Sequence, residues 1–211
     1  MHNFPEHLAD RFRRFRHRHF APHVDHYEKL AGYGQTPDVM IVSCCDSRVD
    51  PESIFTAMPG EMFVMRNVAN LVPPYETSGT YHGVSAALEF AVLNLRVKHI
   101  VVMGHSSCGG IKACVGGETR QSEAHFISNW MSMLDETRDA LTKKDPYKTT
   151  PELAAELERE GIKTSLKNLR SFPCVQSLEG SGRLTLHGAF FNIGSGILSA
   201  LDEQTGEFLP V

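Results

Sequence analysis

Two stretches decide the fold: Val39-Met40-Ile41-Val42-Ser43-Cys44-Cys45-Asp46-Ser47-Arg48 and His99-Ile100-Val101-Val102-Met103-Gly104-His105-Ser106-Ser107-Cys108-Gly109-Gly110. Each begins as a short β-branched apolar run, which is how a parallel strand buried on both faces reads. Each ends in cysteine, histidine and polar residues, and a helix signal follows. Asp50 is placed to cap a helix over Asp50–Ala57, with Pro51 at its first position. Gly109 opens a second helix, to Val115.

Working outward, Met62–Arg66 reads as another strand, and Gly83–Val97 as a helix with an apolar face at Ala87, Phe90, Ala91 and Leu95. Ser122–Lys143 and Pro151–Leu169 read as long amphipathic helices. Arg183–Ile193 alternates as a late strand, and Asp202–Phe208 as a terminal hairpin or edge segment. Strands separated by helices predict an α/β fold: a single domain, residues 34–211, with a mostly parallel central sheet flanked by helices.

Residues 1–33 stand apart as an N-terminal helical arm. They hold His2, His7, His17, His19, His23 and His26, with Arg11, Arg13, Arg14, Arg16 and Arg18. Phe12, Phe15 and Phe20 recur at spacings that suit one apolar helical stripe with a basic opposite face. A solvated arm packed on a partner subunit is the expectation.

A chain of 211 residues suits one catalytic domain, and 41% hydrophobic with 22% charged residues is globular composition. A net charge of −4 argues against a nucleic-acid partner. No apolar run reaches the roughly 18–20 residues of a membrane span, and Met1–Phe15 lacks a signal-peptide core. The expectation is a cytoplasmic protein without a membrane partner. The five cysteines, odd in number and with Cys44 and Cys45 adjacent, do not form a secreted disulfide framework.

In open α/β sheets, ligand sites form beyond the carboxyl ends of the strands. Cys44, His105 and Cys108 can therefore converge although about 60 residues separate the first from the others. Thiolate and imidazole are the usual zinc ligands, and three protein ligands with one open position mark a catalytic site. Cys45 points away from Cys44 on an extended segment and is a poor fourth ligand. Asp46 and Arg48 form the accompanying pair: a bidentate guanidinium fixes the carboxylate as an acceptor beside the open position. A redox-sensing role for Cys44 and Cys45 would leave that pair without a purpose.

At these residues the chain resembles a β-class carbonic anhydrase. The family pattern is C-x-D-S-R followed by H-x-x-C-G-G, and both halves are present. The likeness extends through Pro59-Gly60-Glu61, Arg66–Tyr75 and Gly104–Lys112. The resemblance implies one zinc ion per chain on Cys44, His105 and Cys108, with Asp46 and Arg48 as the catalytic dyad. It implies a substrate pocket of Gln35, Phe63 and Val68, to which we add Gly109. The implied reaction is reversible hydration of carbon dioxide to bicarbonate and a proton, in a homodimer or homotetramer held by the arm. Hydrolysis of carbonyl sulfide or carbon disulfide on the same zinc is the alternative.

Two departures stand out. Phe90 occupies a position where many members have tyrosine. Ile41 and Phe191 occupy positions where bicarbonate-regulated bacterial members resemble one another in a tryptophan and a tyrosine. With Pro73-Pro74-Tyr75, this points to the plant-like form with its zinc open to water.

Overall fold

The computed structural model describes residues 4–117 and 125–211. The apolar runs become strands Val39–Cys44 (β1), Met62–Asn67 (β2), His99–His105 (β3) and Thr185–Phe191 (β4), with Leu198–Asp202 (β5) and Glu207–Pro210 (β6) after them. They form one sheet in the order β2-β1-β3-β4-β5-β6. β2, β1, β3 and β4 are parallel, and the β5–β6 hairpin adds antiparallel to β4.

The helices are Glu6–Phe15 (α1), Val24–Tyr33 (α2), Pro51–Ile54 (α3), Gly83–Glu89 (α4), Gly109–Gly116 (α5), His125–Met131 (α6), Asp135–Lys144 (α7), Thr150–Leu169 (α8) and Pro173–Gly180 (α9). The chain divides into two compact units, Met1–Thr36 and Pro37–Val211. Among the described residues, no helix is long and apolar enough to cross a membrane.

Strand periodicity sorts the core of the second unit. Met40, Val42, Ile100, Val102, Leu186 and Phe190 face one side, against Leu88, Ala91 and Val92 and against Ile162, Leu166 and Leu169 of α8. Ile41, Met103 and Ala189 face the other, with Val49. α8 is anchored at its start, where Glu152 accepts from both the backbone N–H (2.9 Å) and the hydroxyl (2.7 Å) of Thr149.

Glycine lets α8 lie close to the sheet. A β-carbon at Gly104 would sit 2.8 Å from Cδ1 of Ile162, and one at Gly188 would sit 3.0 Å from Cγ2 of the same residue. A side chain at either position would press Ile162 aside, so the glycines of β3 and β4 let α8 run this close to the sheet.

Two expectations are corrected and one helix is added. Ser122–Lys143 is not one helix: α6 and α7 are separated by a 3₁₀ turn at Ser132–Leu134, and Ser122–Ala124 lie outside the described residues. The hydroxyl of Ser132 donates to the carbonyl of Asn129 at 2.8 Å, a local bond that competes with the helical ladder. The arm is not one continuous α-helix. It widens into a π turn at Arg16–Phe20 and tightens into a 3₁₀ turn at Ala21–His23, because Pro22 has no N–H to give and crowds the preceding turn. Helix α9 was not anticipated, although Pro173 stands at a first helical position.

Gly104→Ala is expected to lower the unfolding free energy by about 1–3 kcal/mol, as overpacked cores do. Combined with Ile162→Val, which removes the crowding Cδ1, the loss should be smaller than the sum of the two single losses. Chemical denaturation of the single and double variants checks this, and an alanine variant as stable as the wild type would remove the close approach as a constraint.

Candidate metal centre

From β1 the chain moves to one side of the sheet to form β2, then crosses back to form β3 on the other side. The gap between the carboxyl ends of β1 and β3 is therefore the topological switch point of the sheet. Register pairs Ser43 with Met103, which sets Cys44 and His105 at neighbouring strand ends. Sequence distance disappears here because the strand order removes it.

Side-chain ligand atoms of Cys44, His105 and Cys108 lie within 4.8 Å of one another. Their residues are 4%, 1% and 2% exposed. Ser107, between His105 and Cys108, takes φ 60°, a left-handed conformation that folds the turn tightly enough to bring both ligands back to one point. Ala69 (φ 63°) and Asn70 (φ 49°) are similarly placed on the facing segment. Gly110 allows that segment to approach: a β-carbon there would meet Cγ1 of Val68 at 2.7 Å.

Nδ1 of His105 donates to the carbonyl of Ser106 at 2.9 Å. Nε2 then carries a lone pair, and this buried atom has no hydrogen-bond partner. Such an atom is costly in a folded protein unless something coordinates it. Two thiols beside it complete a soft donor set of the kind zinc takes. The two thiols titrate as a pair: the hydrogen bond between them favours a thiolate at Cys44, against its burial. The Cys44 thiolate and burial together push Cys108 upward. The residues fit a divalent zinc ion.

Asp46 and Arg48 are joined by a two-point fork. Arg48 donates from Nε to Oδ1 of Asp46 at 2.9 Å and from one terminal nitrogen to Oδ2 at 2.7 Å. The backbone N–H of Arg48 donates to Oδ1 at 3.0 Å. These bonds hold the Asp46 carboxyl well below the usual carboxylate range. Oδ2 lies 4.0 Å from Nε2 of His105, beside the cluster. The same terminal nitrogen of Arg48 also donates to the Ser107 carbonyl at 3.0 Å, tying the β1 loop to the β3 loop.

Two positioning residues escaped the sequence reading. Arg66 donates to the carbonyls of Cys44 (2.9 Å), Asp46 (2.8 Å) and Val49 (2.8 Å), bracing the β1 loop from β2. Glu158, 6% exposed, accepts the backbone N–H of Cys108 at 2.9 Å, and burial raises its pKa. A signal existed for Glu158: it is a carboxylate among Leu153, Ala154, Leu157, Gly161 and Ile162, on the buried stripe of α8.

The predicted pocket residues divide. Val68 packs against Gly110 and accepts from the Trp130 indole N–H at 2.8 Å, and Gly109 is exposed beside Cys108 with open space at its α-carbon. Phe63 pairs in register with Met40, four residues from Cys44 and thus about 13 Å down the strand, so one chain does not bring it to the cluster. Phe63 packs instead on Phe90, ring centroids 5.8 Å apart. Gln35 falls in the first unit and is exposed. Cys45 is exposed, and Cys114 is buried.

A sheet with this switch point, carrying a buried Cys-His-Cys cluster and an Arg-held aspartate, defines a metalloenzyme class. Residues 39–198 match the family model described as carbonic anhydrase. A carbonic anhydrase of Synechocystis sp. is 33% identical over 202 residues, covering 96% of this chain and 73% of that protein. The solved β-carbonic anhydrase CcaA superposes with TM-score 0.91 at 32% identity, covering 98% of each chain. A tetrameric β-carbonic anhydrase of Sordaria macrospora superposes with TM-score 0.75 at 30% identity, covering 93% of each. The chain belongs to the β-carbonic anhydrase family, whose members are carbonate dehydratases.

Glu158→Ala leaves the Cys108 N–H buried without an acceptor, and is expected to destabilise the metal-free chain by about 1–3 kcal/mol. Glu158→Gln keeps an acceptor oxygen and should retain most of that stability. Urea denaturation compares the two, and equal losses would show that the carboxylate charge, not the hydrogen bond, is what matters.

Proposed function

We propose that this protein catalyses reversible hydration of carbon dioxide on one zinc ion held by Cys44, His105 and Cys108. The observation that carries the reading is the unpartnered Nε2 of buried His105, facing two thiols. Zinc bound there supplies a nucleophile by making water acidic enough to ionise near neutral pH.

The remaining work belongs to the chain. Both Asp46 oxygens are engaged by Arg48, so the carboxylate stays ionised and cannot rotate. Its free lone pair on Oδ2 accepts a proton-bearing partner at the cluster and fixes which way that partner points. Val68 supplies an apolar wall suited to an uncharged substrate, and the Gly109 backbone leaves room beside it. Ile41 and Phe191 lie in one apolar cluster and offer no donor to a regulatory anion, which supports the open-site form.

Gln35 and Phe63 are proposed to serve the substrate in a homodimer or homotetramer, not within one chain. The distance of Phe63 from its own Cys44 supports this, as does the tetrameric Sordaria relative. The arm is proposed as the oligomer contact, since Phe4, Leu8 and Phe12 are exposed on it at 60%, 40% and 57%. Among the described residues no cysteine is in a disulfide, which suits a reducing cytoplasm.

Stopped-flow hydration of zinc-assayed protein, from neutral to alkaline pH, tests the reading. Rapid turnover rising with pH at about one zinc per chain is expected. Zinc present without turnover at any pH would overturn it. Asp46→Asn should keep its zinc and lose about 10²-fold or more in kcat, whereas Cys44→Ser or Cys108→Ser should lose the metal itself. Full zinc in either serine variant would defeat the ligand assignment.

A further inference from the structure

A cleft of ≈ 540 Å³ opens at the opposite end of β3 from His105, lined by Val92, Arg96, Lys98, Arg183, Thr185 and Leu178 among others. Seven residues of β3 separate the two ends by about 20 Å, so this cleft is distinct from the metal centre. Its volume falls within the range of small-molecule sites, about 300–1,000 Å³.

The lining is amphipathic. Val92 and Val97 (each 2% exposed) and half-buried Leu178 give an apolar floor. Above it stand Arg96, Lys98 and Arg183, with the Thr185 hydroxyl. Lys98 pairs with Asp38 at 3.0 Å. Among the described residues, no carboxylate pairs with Arg96 or Arg183. The local balance is three cations against one anion, in a chain whose net charge is −4. Unpaired arginines over an apolar floor match a phosphate monoester on a ring-bearing body, since such a group carries about two negative charges and accepts guanidinium bidentately.

The backbone adds an independent observation. Arg96 ends the helix at φ 57°, ψ 46°, the left-handed position that glycine or asparagine ordinarily takes. The turn before it, Phe90–Leu95, is a π-helix. Arginine gains nothing over glycine at this helix end, so its contribution there lies in the side chain it places at the lip of the cleft.

We propose that this cleft binds a small organic phosphate with a ring-bearing body, through Arg96, Arg183 and the Thr185 hydroxyl. Isothermal titration calorimetry of the full zinc-loaded protein with AMP, at matched ionic strength, tests it. Saturable binding of AMP is expected, with adenosine failing to bind. Arg183→Ala should weaken AMP at least tenfold. Arg96→Gly should do the same while melting no lower than the wild type, because glycine relieves the left-handed backbone. Its carbon dioxide hydration should be unchanged. No saturable heat with AMP, equal binding of adenosine, or AMP binding that survives both substitutions would each overturn the proposal.

Discussion

Two thiols and an imidazole are packed into one water-excluded point at the switch of the sheet, and much of the surrounding structure answers that constraint. Apolar side chains could fill the space at lower electrostatic cost. The chain instead spends left-handed backbone at Ser107, Ala69 and Asn70, and a buried carboxylate at Glu158, on keeping the three donors together. Strain and burial of this kind persist only where the neighbouring structure over-determines them. Here the over-determination is visible: Arg66 braces one loop at three carbonyls, Glu158 holds the other by an amide, and Arg48 joins the two.

Arg48 is the economical part of that design. One guanidinium fixes the orientation of Asp46, keeps it charged, and reaches the Ser107 carbonyl across the loop boundary. Lysine has the charge but not the fork, and would hold one oxygen at a time. The planar geometry is thus a structural requirement of the dyad as well as an electrostatic one.

What the sequence disclosed follows from the range of the interactions. Cys44, Asp46, Arg48, His105 and Cys108 were legible because each lies within a few residues of a strand end, where position along the chain fixes position in space. The parallel sheet was legible because burial on both faces leaves an uninterrupted apolar run. Arg66 and Glu158 act on backbone groups 22 and 50 residues away, and no local pattern records such a target. The break between α6 and α7 depends on a single serine hydroxyl, and the break in the arm on a single proline, both weaker than the amphipathic period around them. The resemblance assigns Phe63 to the substrate pocket, yet register pairs it with Met40, four residues down β1 from Cys44.

The two ends of β3 carry opposite solutions to burying charge. At the carboxyl end, the two arginines that brace the cluster are committed: Arg48 to Asp46, and Arg66 to three carbonyls and Asp50. At the amino end, no carboxylate pairs with Arg96 or Arg183 among the described residues. A strand lengthened or shifted by one residue would turn His105 away from the cluster, since successive side chains point to opposite faces. The glycines that seat α8 against β3 and β4 prevent that slip, because only one register puts Gly104 and Gly188 beneath Ile162. The same contact that packs the core therefore sets the aim of His105.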